Sequence, residues 1–315
     1  MACGLDKFAI SHRLQAVICL TGQSHVFEDG EILLQEMIGV AMSGKQIQRV
    51  SEHYGKKIED LETSDKPTVP PPLGKPKESV YAMVDGSMLF TREEKWKEIK
   101  LGRLFCATDR VAVQPSRTEL IKSQYVCHFG GHIEFLKKMD RYLERYKHKI
   151  IIADGAKWIW NWAEDSHPEA LQILDYFHAV EKISQFAALQ WEDEKERKKW
   201  TNTQQELLLN NQVTQVISQL QTIESTDTKA EKLRIDTIRY YQNNKNRMYY
   251  KTYKDKGYLI GSGAIESAHR NIVQQRLKLS GQRWSINGAQ QVVNLRAFEK
   301  SGRWNEVVNI IKKAA

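Results

Sequence analysis

Three acidic residues stand out by type and setting. Asp85 in "AMVDG" and Asp154 in "IIADG" each close an apolar run with Asp-Gly, and Glu266 in "GSGAIES" opens a helical pattern behind two glycines. Carboxylates are hard oxygen donors, and several in one cleft repel one another unless cations neutralise them, so such a set selects Mg²⁺ or Mn²⁺. Two ions about 3.5–4 Å apart clamp the attacking and leaving oxygens of an in-line phosphoryl displacement. The chemistry expected is cleavage of a phosphodiester by metal-activated water, after which the freed 3′-hydroxyl can attack in turn. Each Asp-Gly also fits an ordinary turn at a strand end, and a glutamate in a first helical turn is favoured by the helix dipole alone. The repetition of the Asp-Gly setting, and glycines that let a helix start sit tight against other backbone, set the three acids apart.

The elements that must position them are legible in the apolar periodicity. "SVYAMVDGSMLF" reads as a buried strand ending at Asp85-Gly86, and "WKEIKLGRLFCAT" as a second strand in a hairpin with it. "HIEFLKKMDRYLERYKH" spaces Ile133, Leu136, Met139, Leu143 and Tyr146 as a helix, and "KIIIADGA" is a strand ending at Asp154-Gly155. "AKWIWNWAEDSHP" predicts a helix, "ALQILDYFH" a strand running into a turn, and "AVEKISQFAALQ" another helix. That order is α/β, and in open α/β sheets ligands bind at strand ends. From Trp191 to Lys256 the chain is polar and helical without a strand pattern, which marks a helical insertion. Ser262 is placed to cap a helix on which Glu266, His269 or Arg270, Val273 and Leu277 share a face.

Residues 11–54 read as three short helices, the third capped by Ser43, burying Ile47 and Val50 and exposing Lys45, Gln46, Gln48 and Arg49. Those donors suit phosphates and base edges in a helix-turn-helix; a small bundle with a solvated polar face fits the same residues. "TSDKPTVPPPLGKPKES" then holds five of the chain's seven prolines and reads as a stiff linker. The expected organisation is a helix-turn-helix module over 1–62, a linker over 63–78, a catalytic domain over 79–190 and 257–300, an insertion over 191–256 and a tail over 301–315.

The 47 Lys+Arg against 39 Asp+Glu give a net charge of +8, which leans toward a polyanionic partner without singling out nucleic acid. No apolar run approaches the ~18 residues that span a bilayer, and the first residues lack a basic flank with an apolar core. A cytoplasmic chain with no membrane partner is expected. Cys3, Cys19, Cys106 and Cys127 show no CxxC spacing, so neither a zinc ribbon nor a disulfide framework is expected.

Together these segments resemble the DDE transposases of bacterial insertion sequences, most closely the ISKra-type group, related to Mutator-like transposases. The likeness covers nearly the whole chain. "LQEMIGVAMSGKQIQRVSEHYG" looks like the family's helix-turn-helix, and "YAMVDGSM" like its first aspartate block. "IIADGAKWIWNWAEDSHPEALQILDYFHAVEKI" resembles the second-aspartate block, and "GSGAIESAHRNIVQQRLKLSGQRWSINGAQQVVNLRA" the glutamate block. The resemblance implies a ribonuclease-H-like mixed sheet with a helical insertion, preceded by an all-α helix-turn-helix module. It implies Asp85, Asp154 and Glu266 as a triad holding two Mg²⁺ or Mn²⁺ ions. It implies DNA as partner, both the element's terminal inverted repeats and the target, handled by a homodimer in the bacterial cytosol near the nucleoid. "DYFH" resembles the Asp-x-x-His element of Mutator-like transposases, which carries Asp175 and His178 across: His178 toward the scissile phosphate or the metal shell, Asp175 in support. A capping histidine at a strand-to-helix turn also fits. His269 is expected to support the Glu266 helix. The zinc ribbon expected upstream of the helix-turn-helix in longer relatives has no counterpart in the cysteines here.

Beside the acids, Arg270, Arg276, Lys278, Arg283 and Trp284 lie on and past the glutamate helix, where they can grip a DNA backbone. "WIWNW" suits stacking on bases or, more simply, packing of a helix on a sheet. "RYYQNNKNRMYYKTYKDKGY" fits a DNA-tracking surface and an amphipathic helix equally, and "EDEKERKK" fits a solvated helix face. Two other functions use the same residues: a DNA-binding remnant that no longer catalyses, and a metal-dependent nuclease that hydrolyses without strand transfer.

Overall fold

The computed structural model describes residues 8–64, 70–114, 117–225 and 227–313. Along the chain run α1 His12–Ser24, α2 Phe27–Ile38, α3 Gly44–Thr63, β1 Ser79–Thr91, β2 Lys95–Cys106, β3 Arg110–Gln114, β4 Arg117–Leu120, β5 Gln124–Phe129 and α4 His132–Leu143. Then come β6 His148–Ala153, α5 Lys157–Ser166, β7 Leu171–Leu174, α6 Tyr176–Gln190, α7 Glu194–Leu209, α8 Val213–Thr222, α9 Thr228–Asn244 and α10 Tyr250–Asp255. The chain closes with α11 Gly263–Ala268, a π-helical segment His269–Gln274, α12 Gln275–Leu277, α13 Ile286–Lys300 and α14 Trp304–Lys313.

Five strands form one sheet in the order β5-β2-β1-β6-β7, and β3 pairs with β4 apart from it. The sheet is mixed, since β2 runs antiparallel to β5 and β6 parallel to β7. The α/β class read from the sequence is the one found. The chain forms two compact units: Met1–Val80 with Asp85–Lys147 and Ala264–Ala315, and Tyr81–Val84 with His148–Gly263. These units do not divide at the proline tract.

In the first unit, α3 carries the sequence's amphipathic stripe into a core. Ile18, Cys19, Leu34, Ile47, Val50, Tyr54 and Ile58 pack with Leu295, Phe298, Val307 and Ile311 of α13 and α14. The helices read as a separate module over 1–62 thus share one hydrophobic core with the end of the chain, and the segment read as a tail over 301–315 supplies α14 to it. α3 meets α13 through Gly55, where a Cβ would lie 2.1 Å from the Gln291 carbonyl oxygen. Asn294 Nδ2 donates to Gly55 O at 3.2 Å across the same contact. Part of the proline tract, residues 65–69, lies outside the described residues. Leu73, beyond it, is buried, and the Leu73 and Gly74 amides donate to Tyr146 Oη at 2.9 and 3.1 Å, so this stretch is tied down rather than a free spacer.

Two strand readings need correction. β1 does not stop at Asp85-Gly86 but runs on through "SMLF", and the hairpin turn falls after Thr91. There Thr91 Oγ1 donates to Lys95 O and accepts from Glu94 N, with Lys95 at φ 59°. The turn chemistry therefore resides in a threonine, not in the Asp-Gly. β5 was not anticipated, because "QYVCHF" is short and mixed in polarity and owes its strand form to pairing with β2. On α4, Ile133 is exposed, and Phe135 takes the buried stripe with Leu136, Met139 and Leu143.

In the second unit, β6 and β7 are buried apolar strands in register, Ile150 opposite Leu171 through Ala153 opposite Leu174. The span 191–256 is helical, as its composition implied. Trp160 and Trp162 of α5 are buried, so packing accounts for them. Arg247 stacks on Trp160 at 4.6 Å and donates to Gln172 and Glu164. Tyr241, Tyr250 and Tyr253 are buried, which makes much of the tyrosine-rich stretch core rather than a DNA track. In "EDEKERKK", Asp193 caps α7 and Lys198 pairs with Glu194 at 2.6 Å.

Candidate active site

In the first unit, β1 presents Asp85 and α11 presents Glu266. The half-buried Asp85 carboxylate accepts from the Gly86 amide at 2.7 Å, and its Oδ2 stands 3.3 Å from Nε2 of the buried His269. That approach sets the strand bearing Asp85 beside the helical segment that begins three residues after Glu266, although neither buried ring nitrogen of His269 has hydrogen-bond geometry to a partner among the described residues. Glu266 itself is exposed. The start of α11 is fixed by Arg103 of β2, which is buried and donates to Ala264 O at 2.7 Å and to Ser123 Oγ at 3.0 Å. Burial lowers its guanidinium pKa.

After α11 the backbone widens into a π-helix over His269–Gln274, the kind of local insertion that often re-aims side chains at functional positions. The face expected for Glu266, His269 or Arg270, Val273 and Leu277 is divided between outside and inside. Glu266 and Arg270 turn outward, while His269, Val273, Arg276 and Leu277 turn inward. The wide turn is held by Arg296 of α13, whose Nε donates to Asn271 O at 2.8 Å and whose Nη1 donates to Gln23 O at 3.1 Å.

In the second unit, Asp154 follows β6 and its Oδ1 accepts from Ala156 N at 3.0 Å, an Asx turn of the type expected for Asp-Gly at a strand end. Gly155 has a further role: a Cβ there would lie 2.0 Å from the ring of Tyr240 on α9. Burial, then the charges of Asp154 and Asp175, raise the Tyr240 phenol pKa.

Asp175 is fully buried and acts as a hub. Its Oδ1 accepts from Phe177 N at 2.7 Å and caps α6; its Oδ2 accepts from His178 Nδ1 at 3.0 Å, from Ser262 N at 3.1 Å and from Ser262 Oγ. Tyr176 N also donates to Ile260 O at 2.9 Å, and a Cβ on Gly261 would lie 2.5 Å from the Phe177 ring. The glycine of "GSG" that serves close approach is Gly261, whereas Gly263 has open space around its Cα. Ser262, read from the sequence as a cap, donates its hydroxyl to Asp175. His178 is about one-third exposed, with Nδ1 fixed on Asp175.

The residues read as DNA contacts fall in two groups. Lys45, Gln46 and Arg49 are exposed on the first two turns of α3, with Gln46 also closing the capping box with Ser43, and Arg270, Lys278 and Arg283 are exposed as well. Lys278 donates to Ser87 Oγ at 2.5 Å. Arg276 is fully buried and Trp284 is 7 % exposed, so neither is the open backbone grip that their place in the sequence implied. Arg103 and Tyr240 carry no signal in the sequence, since each lies far along the chain from what it holds, and Ser262, legible as a helix cap, gave no hint of its bond to Asp175. Among the described residues, no three His, Cys, Asp or Glu side chains gather as a metal-holding group. No helix among them is long and apolar enough to cross a membrane.

The fold and these side chains define a mixed α/β protein with carboxylates presented from a strand, a strand end and a helix start. The sequence profile of the uncharacterised protein family UPF0236 matches residues 80–314, and the chain belongs to that family. It is 25% identical, over 323 aligned positions and 96% of its own length, to the "UPF0236 protein in vanSb 3′region" of Streptococcus gallolyticus. The chain spans 66% of that relative's length.

Proposed function

We propose that this protein is an insertion-sequence transposase of the DDE kind, with a ribonuclease-H-like sheet, which binds the ends of its element and cleaves and joins DNA strands. The observation that carries the reading is the 3.3 Å approach of His269 Nε2 to Asp85 Oδ2, which brings β1 beside the helical segment that follows Glu266. The exposed Lys45, Gln46 and Arg49 at the start of α3 supply donors for a DNA groove.

Asp85, Asp154 and Glu266 offer carboxylate oxygens, the donor class that suits Mg²⁺ or Mn²⁺. Held by these carboxylates, such ions would supply an activated water and charge neutralisation for phosphodiester chemistry. The chain's own residues orient: His269 supports the Asp85 carboxylate, Asp175 fixes the His178 ring, and Ser262 anchors the turn that leads to Glu266. A protonated His178, held through Nδ1 by Asp175, would donate to a phosphate oxygen from Nε2.

The test uses purified protein, a duplex carrying the element's terminal repeat, and Mg²⁺. Asp85→Asn, Asp154→Asn and Glu266→Gln should each leave duplex binding intact and remove cleavage. Cleavage retained in all three would sink the proposal. Products on a pre-cleaved end separate strand transfer from plain hydrolysis, and a wild-type chain that binds the repeat without cutting it would point to a remnant.

A further inference from the structure

A small pocket in the first unit has an unusual charge on its floor. It has a volume of about 190 Å³ and is lined by Phe27, Glu28 and Gln48 from α2 and α3, by Arg92, and by Arg276 and the stretch Gln282–Ser285. Arg276 is fully buried, and its guanidinium lies 4.7 Å from the Phe27 ring centroid and 4.8 Å from that of Trp284, in the corner these two rings form where they meet edge to face at 6.0 Å. Its Nε donates to Gly22 O at 3.0 Å. Among the described residues, neither of its terminal nitrogens, both buried, has a hydrogen-bond partner.

A guanidinium close to two aromatic rings is stabilised by cation–π attraction, but a buried cation with unmet donors is costly unless a negative charge comes to it. Burial, and then the charge of Arg296, push its pKa down to about 10, while Glu28 acts in the opposite sense, so the group stays charged at neutral pH. Arg92 and Arg283 stand exposed at the rim, and Arg92 Nε donates to Arg283 O at 2.9 Å, which holds the two side by side. Three arginines against Glu28 leave the pocket positive. Its volume falls below the ~300–1,000 Å³ common for small-molecule sites, so it suits a compact oxyanion. Planar guanidiniums match phosphate oxygens bidentately.

We propose that this pocket is an oxyanion site that takes one phosphate of a DNA backbone lying across Arg92 and Arg283, with Arg276 as its buried positive floor. The identity of the phosphate's source rests on the DNA-binding reading above; the oxyanion site itself does not. Gln48 lines the pocket from α3, the helix that also exposes Lys45, Gln46 and Arg49, so a phosphate bound here would set the register of that helix on a duplex.

The test is calorimetric titration of the full chain with inorganic phosphate, in wild type and in Arg92→Met, Arg283→Met and Arg276→Lys, with the distant Lys137→Met as control. Saturable binding that weakens at least fivefold in both rim variants and is unchanged in the control supports the site. The rim residues are exposed, so their variants remain informative even if Arg276→Lys is misfolded by circular dichroism. No saturable binding, or binding equal in all variants, overturns it. The second arm measures duplex affinity against salt concentration. Loss of a backbone phosphate should flatten the log–log slope by about 1 in Arg283→Met. Phosphate binding that depends on the arginines, with an unchanged DNA slope in Arg283→Met, overturns the backbone assignment and leaves a free phosphate ligand as the source. Neither arm reads cleavage, so the catalytic proposal stands or falls separately.

Discussion

Gly55→Ala sets two local rules against each other at the α3–α13 contact. Gly55 lies well inside a twenty-residue helix. Helix propensity alone says that alanine should stabilise that helix by about 1 kcal/mol. The tertiary contact says otherwise, because the new Cβ would lie 2.1, 2.5 and 2.7 Å from the O, C and Cα of Gln291, all backbone of α13. Relieving the contact to an ordinary ~3.4 Å requires the helices to part by more than 1 Å, and a gap of 0.5–1 Å already forfeits about a quarter to a half of each dispersion well along it. The side chains that would lose contact include Tyr54 and Ile58 against Leu295 and Phe298, all in one core. Overpacking of this kind costs about 1–3 kcal/mol and sometimes more; with no flexible neighbour to give way, the upper end is expected. After subtracting the propensity gain, the net loss should be roughly 2 kcal/mol. Urea denaturation followed by circular dichroism measures it directly. Stability equal to or above wild type would refute the geometry of the α3–α13 contact.

Asp175→Asn should destabilise by roughly 3 kcal/mol, since three charge-assisted bonds become neutral and the amide group faces the Phe177 N–H instead of accepting from it. Amide exchange at Ser262 should accelerate selectively, and unchanged protection there would contradict the hub. The His128 pKa is lowered to about 4, by burial first and then by the charges of Lys138, Lys100 and Lys97, against Glu134. Because the unfolded imidazole takes its proton near pH 6.5 and the folded one resists, stability should fall as pH drops from 6.5 toward 4. His128→Gln should remove that slope, and an unaltered pH profile in the variant would count against the assignment. His269→Gln keeps a nitrogen donor near Asp85 and should retain more DNA cleavage than His269→Ala at equal fold stability; equal loss in both would argue against a positioning role.

Much of the framework was written locally. The apolar runs ending in Ala153 and Leu174, the Ser43 capping box and the long polar helices over 191–256 follow from period, caps and propensity, which act within a few residues. The boundary at the prolines was legible as composition, yet α3 buries its stripe on α13, more than two hundred residues away, and nothing local encodes that partner. The same limit explains the errors of placement. "MVDG" carries a turn signature, but pairing keeps Asp85 inside β1, and the turn falls at Thr91 instead. Helical spacing put Glu266 with His269 or Arg270 on one face; packing leaves Glu266 and Arg270 outside and His269 inside. Arg276 looked like a surface cation because sequence gives charge and not depth. The sequence by itself determined which residues carry acid, base and apolar character, and the elements they form. Only the tertiary structure decided which of them are buried, which carboxylate is saturated with donors and which cation keeps unpaired terminal nitrogens, since desolvation and long-range contact are properties of the packed chain and not of any stretch within it.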